Sequence, residues 1–184
     1  QTKLFKEYML PQTYICKTRA ELLDTIFELK KNNKQIISKE DCGNCGTSIC
    51  KWDDYDMCYN VLSQNKINHI IQEFCPNYID ARVIVIGDEI IDVYQRYNPY
   101  NFRQSISRGG QSIPISIDEL DIEMIFNVVK KGQFPFAHLD LLITENHQYL
   151  SEIHLFGGSK GSKYSFDELR ILKDEYLNQL DRKK

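Results

Sequence analysis

Two segments limit what this chain can become. In 81–95, ARVIVI and EIIDVYQ flank Gly87-Asp88, and in 138–155, HLDLLIT and YLSEIHL flank ENHQ. Apolar, β-branched runs on either side of a tight turn read as antiparallel hairpins. Two such hairpins argue against a doubly wound parallel sheet, whose strands need long crossovers between them. They point to an α+β chain in which hairpins alternate with packed helices.

Helices fill the intervals. Thr18–Glu21, Ser116–Glu119 and Ser165–Glu168 each have the spacing of a capping box, in which a hydroxyl and a carboxylate satisfy the first free N–H groups reciprocally. Apolar residues then recur at helical spacing: Leu22, Ile26 and Leu29; Leu120, Met124 and Val128; Leu169, Leu172, Tyr176 and Leu180. A fourth helix is expected over Asp54–Gln64, and strands over KQIIS (34–38) and INHIIQEF (67–74). Pro76-Asn77 is the expected hinge, giving lobes over 1–75 and 76–184.

Bulk properties remove several classes of function. A net charge of −3 gives no footprint for nucleic acid. No apolar run approaches the roughly eighteen residues that span a bilayer, and the polar, basic opening QTKLFK is no signal peptide. The expectation is a cytoplasmic chain with no membrane or nucleic-acid partner, a homo-oligomer being left open. The six cysteines then read as free thiols or a metal site rather than a disulfide framework.

The segment DCGNCGTSIC (41–50) admits three readings. Cys42-x2-Cys45 has a zinc-knuckle spacing, and Cys50 and Cys58 could complete four thiolates. Alternatively, Gly43 and Gly46 follow a strand ending in Lys39, and glycine-rich backbone beside a lysine suits phosphate oxygens. A plain hairpin loop is the third. Downstream, Asp140 and Glu152 lie on the two arms of one hairpin, and oxygen donors of this kind suit Mg2+ bridging ATP phosphates; salt-bridged structural acids are the alternative. Arg103 and Arg108 precede and adjoin the glycine pair of FRQSISRGG, where guanidinium groups could stabilise a transferred phosphoryl group.

The order of these pieces resembles the ATP-grasp superfamily, most closely its ribosomal-protein glutamate ligase branch. The likeness covers nearly the whole chain: KLFKEYMLPQTYICKTRAEL at the start, QEFCPNYIDARVIVIGDEIIDVYQRYNPYNFRQSISRGG in the middle, and LDLLITENHQYLSEIHLFGGSKG near the end. The resemblance implies two α+β lobes with antiparallel sheets that sandwich ATP. It implies an ATP-dependent carboxylate–amine ligase that forms a C–N bond through an acyl phosphate and releases ADP and phosphate. The substrates implied are an amino-acid or peptide carboxylate and an amine acceptor.

Residue by residue, Lys3 and Lys39 resemble the two nucleotide lysines, and Gly43 and Gly46 the lid over the phosphates. Gln72, Glu73, Phe74 and Cys75 resemble the hinge beside adenine, and Asp80 stands where ribose hydroxyls are held. Arg82, Arg96, Arg103 and Arg108 resemble contacts to acyl phosphate or acceptor. Asp140, Glu152 and His154 fall on the Mg2+ positions.

The chain departs from the family at His154, where an Asn is usual, and in FRQS, where Ser105 replaces an amide. Those changes imply an altered metal preference, with Mn2+ admitted beside Mg2+, a different acceptor, or a site decayed to nucleotide or partner binding. No counterpart of the family's amino-terminal domain precedes Lys3, so a truncated or minimal form is expected.

Overall fold

A computed structural model describes residues 1–40, 49–64 and 68–182. The chain divides into two compact units, Gln1–Pro76 and Asn77–Lys184.

In the first unit an antiparallel sheet carries four strands in the order β1 (Thr13–Cys16), β4 (His69–Glu73), β2 (Ile36–Glu40), β3 (Ile49–Trp52). Helix α1 (Arg19–Lys31) starts as its sequence dictates: Glu21 N–H donates to Thr18 Oγ1 at 3.2 Å, and Thr18 N–H donates to Glu21 Oε2 at 3.0 Å. It stops where Asn33 turns left-handed (φ 53°), which lets Lys34 N–H reach back to the Leu29 carbonyl at 2.9 Å. Helix α2 (Tyr55–Leu62) is capped by Asp54, whose Oδ1 accepts from Met57 N–H at 2.7 Å. The two helices close a core of Leu22, Ile26, Leu29, Ile36, Leu62 and Ile71, with the Cys16 and Cys58 thiols inside it.

The second unit holds a five-stranded antiparallel sheet in the order β7 (Gln111–Pro114), β6 (Glu89–Tyr97), β5 (Ile79–Ile86), β8 (Phe136–Ile143), β9 (Gln148–His154). The β5–β6 turn is the anticipated one: Ile86 pairs with Glu89 around Gly87-Asp88. Gly87 takes φ +60°, and a Cβ there would fall 2.4 Å from the Tyr176 ring. Helix α3 (Ile122–Gly132) contacts β8 and buries Met124, Ile125, Val128 and Val129. Helix α4 (Phe166–Arg182) contacts β5, and its Leu169 packs with Ile84 and Tyr94.

Three strands escaped the sequence reading. β1, β3 and β7 are four residues each and lie at sheet edges, too short for a period-2 signal. One helix start also moves. Ser116 and Glu119 do form a capping box, but it caps a single 3-10 turn, Ile117–Glu119. Leu120 is then extended and buried, and Asp121 caps α3 through Met124 N–H at 3.0 Å. Two caps in series split what the periodicity joins.

Candidate active site

The pleat of the second sheet sorts residues onto two faces. On one, Ala81, Val83, Val85, Leu139 and Leu141 are buried and apolar. On the other, register sets Asp80 opposite Arg96, Arg82 opposite both Tyr94 and Asp140, and Asp140 opposite Glu152. Leu169 of α4 covers part of this second face through Ile84 and Tyr94.

The opposition of Asp140 and Glu152 depends on a bulge. From the turn, Ile143 pairs with Gln148, Leu142 with Tyr149 and Leu141 with Leu150; the ladder then steps past Ser151 to pair Asp140 with Glu152. A straight register would set Glu152 against Leu139 and send its carboxylate toward the apolar face. The step also lets Leu150 and Ile153, three residues apart, both be buried.

Around Asp140 the cations converge. Arg82 grips it bidentately, Nε to Oδ1 at 2.7 Å and Nη2 to Oδ2 at 2.9 Å. Arg96 adds Nη1 to Oδ2 at 2.9 Å and turns its Nε to Asp80 Oδ1 at 2.7 Å. His154 Nε2 lies 3.5 Å from Asp140 Oδ2 and 3.3 Å from Glu152 Oε2. The network balances: Asp80, Asp140 and Glu152 against Arg82, Arg96 and a protonated His154.

Its titration follows from that geometry. Burial alone would raise Asp140, but the Arg96 and Arg82 guanidinium groups hold it well below the usual carboxylate range. Burial pushes Asp80 up to about 6, with Arg96 opposing and the Asp140 charge adding to the rise. Hydrogen bonds to Asp140 and then Glu152 raise His154 to about 9. Burial, with Lys173 nearby, lowers His138 to about 3. That ring is fully buried, 3.2 Å from Lys173 Nζ through Nε2, and its Nδ1 lies where a Cβ on Gly157 would come within 2.5 Å.

Asp140, Glu152 and His154 each offer one ligand atom, all within 4.8 Å of one another, the single such group among the described residues. Two carboxylates and an imidazole are a donor set that fits a divalent cation. Asp140 is buried and pre-oriented by its arginines, while the Glu152 side chain is 41% exposed and open to a ligand.

The remaining expected residues are placed as follows. Arg103 stacks on the Phe102 ring at 4.5 Å, and Arg108 ends a 3-10 turn, Ile106–Arg108. Both belong to a loop knotted by amides that sequence reasoning overlooked. Asn98 N–H donates to Gln104 Oε1 at 2.6 Å, and Asn98 Nδ2 donates to the Arg108 carbonyl at 3.2 Å. The clue was there, in amide residues crowding the loop YNPYNFRQ. Asp92 and Tyr94 were also missed. Asp92 Oδ2 accepts from Ser162 Oγ at 2.5 Å and Lys163 N–H at 3.0 Å, and Tyr94 OH donates to the Lys160 carbonyl at 3.2 Å, so both hold the segment that follows His154.

In the first unit Lys3 is exposed, and Lys39 sits on β2 opposite Ile70 and Ile49. Gln72 is buried, its Nε2 donating to Thr13 Oγ1 at 2.8 Å, and Glu73 pairs with Lys34 at 2.9 Å. Phe74 lies under Lys51 Nζ, 4.3 Å from the ring centre, and the Cys75 thiol is raised by burial. Gly43 and Gly46, with Cys42 and Cys45, lie outside the described residues. Of the other two thiols in the zinc reading, Cys50 is half-buried, and burial pushes Cys58 up to about 12, which disfavours a thiolate there.

The chain is similar to known proteins in sequence and in fold. The profile of the RimK-like ATP-grasp domain matches residues 4–169. The alpha-aminoadipate–LysW ligase LysX of Saccharolobus solfataricus is 27% identical over 166 residues, covering 82% of this chain and 59% of that protein. A probable alpha-L-glutamate ligase of Coxiella burnetii is 31% identical over 99 residues, 52% of this chain and 33% of that protein. Among solved structures, the ATP-grasp ligase PsnB complexed with minimal precursor has a TM-score of 0.66 at 16% identity, covering all of this chain (100%) and 59% of that one. D-cycloserine synthetase DcsG has a TM-score of 0.67 at 11% identity, covering 92% and 65%. This chain therefore spans about 59% of the length of LysX and of PsnB. With the profile matching 4–169 and two antiparallel sheets of the same fold, the chain belongs to the RimK-like ATP-grasp domain family.

Proposed function

We propose that this chain carries the ATP-dependent activation step of a carboxylate–amine ligase. The observation that carries the reading is the polar face of the second sheet, where Asp140 and Glu152 oppose each other amid Arg82, Arg96 and His154 in a chain of this family. A carboxylate oxygen of an amino acid or peptide attacks the γ-phosphorus of ATP, and ADP leaves. An amine then attacks the acyl carbon; the C–O bond to phosphate breaks, phosphate departs, and the nitrogen gives up a proton. Asp140, Glu152 and His154 would hold a divalent cation that neutralises charge on the transferring phosphates.

The side chains divide the remaining work. Arg82 and Arg96 keep Asp140 ionised and oriented, which makes Arg82, like Asp80 behind Arg96, a positioning residue. Arg103 and Arg108 face the acyl phosphate and the acceptor. The family resemblance assigns nucleotide contacts to Lys3, Lys39 and Gln72–Cys75 and the phosphate lid to Gly43 and Gly46, and an acyl phosphate requires that water be excluded. The proposal includes a cytoplasmic location.

The second reading, nucleotide or partner binding without turnover, is favoured by His154, which closes the acidic pair with an internal ion pair. Calorimetric titration with ATP and a divalent cation, followed by ADP-release assays across amino acids and peptides, separates the two. Binding with ADP release supports the ligase, binding without release across the panel supports the second reading, and absence of ATP binding sinks the ligase and the nucleotide-binding half of the second reading.

A further inference from the structure

The cation site of the proposed function has a composition that selects among cations. We propose that the Asp140–Glu152–His154 cluster takes a first-row transition ion of the Mn2+-to-Zn2+ series in preference to Mg2+, with His154 as the selecting residue. The inference rests on the cation site of that reading and concerns which ion occupies it.

Three observations carry it. First, His154 Nε2 stands between the two carboxylates, 3.3 Å from Glu152 and 3.5 Å from Asp140. A cation entering there displaces the imidazole proton to solvent and takes that nitrogen as a ligand. Imidazole suits ions of the transition series, whereas Mg2+ prefers oxygen donors and retains its waters.

Second, the spacing is wide. Donors held at about 2.05 Å by a tetrahedral ion stand about 3.3 Å apart, against about 2.9 Å for the cis positions of an octahedral one. The two separations that involve His154, 3.3 and 3.5 Å, lie nearer the first value, and all three ligand atoms fall within 4.8 Å of one another. Larger Mn2+ is also accommodated, because longer bonds widen every edge.

Third, much of the charge that attracts a hard ion is already used. The oxygens of Asp140 take three guanidinium hydrogen bonds, two from Arg82 and one from Arg96. Only Glu152 keeps an exposed carboxylate. Affinity then depends more on the bond to nitrogen, the term in which transition ions exceed Mg2+. The same guanidinium groups fix the Asp140 rotamer, so the site is ordered behind the ion.

The test is Mn2+ binding by the whole chain without nucleotide, read from the electron paramagnetic resonance of free Mn2+, with Mg2+ as competitor. Mn2+ is the probe because thiols compete for Zn2+ far better than for Mn2+, and the chain has six cysteines. The expected result is one Mn2+ per chain, displaced by half only at about tenfold or greater excess of Mg2+. His154→Asn should lower Mn2+ affinity about tenfold or more and bring the two ions close together. Glu152→Gln, at an exposed position, is the second variant and should weaken both ions.

Displacement of Mn2+ by equal Mg2+, no Mn2+ binding, or His154→Asn indistinguishable from the native chain would each overturn the proposal. Failure of the ligase reading looks different: Mn2+ would bind with the stated preference, and no ion would support ADP release.

Discussion

Asp140 and Glu152 stand directly opposite one another on β8 and β9 because the pairing steps past Ser151. One is buried under two guanidinium groups and the other is 41% exposed, so the same chemical group has two different roles.

Removing the buried acid should unfold; removing the exposed one should not. Asp140→Ala leaves Arg82 and Arg96 facing each other without their shared anion, a loss of about 3–5 kcal/mol for a broken buried pair. Glu152→Gln should shift the urea midpoint little while abolishing tight cation binding. Equal midpoints for the two variants would contradict the assignment of roles.

Arg96 bridges Asp80 and Asp140 with three of its nitrogens, a geometry that an ammonium cannot copy. Arg96→Lys should therefore destabilise by roughly 1–3 kcal/mol despite keeping its charge. Chemical denaturation measures this, and an unchanged midpoint would mean that charge alone suffices.

Stability should fall on both sides of neutrality for different histidines. His154, raised to about 9, binds its proton more tightly folded than unfolded. Its contribution is complete below the unfolded value near 6.5 and is lost as pH rises through about 9. His138, lowered to about 3, binds its proton more weakly folded, so stability is lost as pH falls from about 6.5 toward about 3. Denaturation midpoints against pH should show both limbs, and His154→Asn should flatten the alkaline one alone.

Much of the fold was written locally. The Gly87 turn and the capping boxes of α1 and α4 depend on neighbours within four residues, and each appears where the pattern places it. Asp80, Arg82, Tyr94 and Arg96 share a face by alternation, which the strands' own sequence contains. That Arg82 meets Asp140 requires β5 to lie beside β8, a pairing across more than fifty residues that no local pattern states. The role of His154 as counter-ion needs the bulge as well, and Ser151 has nothing in its identity to announce one.

Gly87→Ala should cost about 1–3 kcal/mol through strain at positive φ, and more through the collision with Tyr176. Adding Tyr176→Ala should relieve the collision and leave the strain. Midpoints of the single and double variants test this; a double variant no better than Gly87→Ala would place the whole cost in the backbone.

The step at Ser151 also sorts changes of length. A residue added to the 144–147 turn leaves every ladder pair where it is. Loss of Ser151 straightens the ladder and still leaves Asp140 across from Glu152. A residue added between Glu152 and Ile153 reverses the phase, carrying the His154 imidazole to the apolar face and the Ile153 side chain to the acids. Along this hairpin, then, the harm done by an insertion depends on its parity relative to one serine, and two relatives of equal length can differ in whether they possess the site at all.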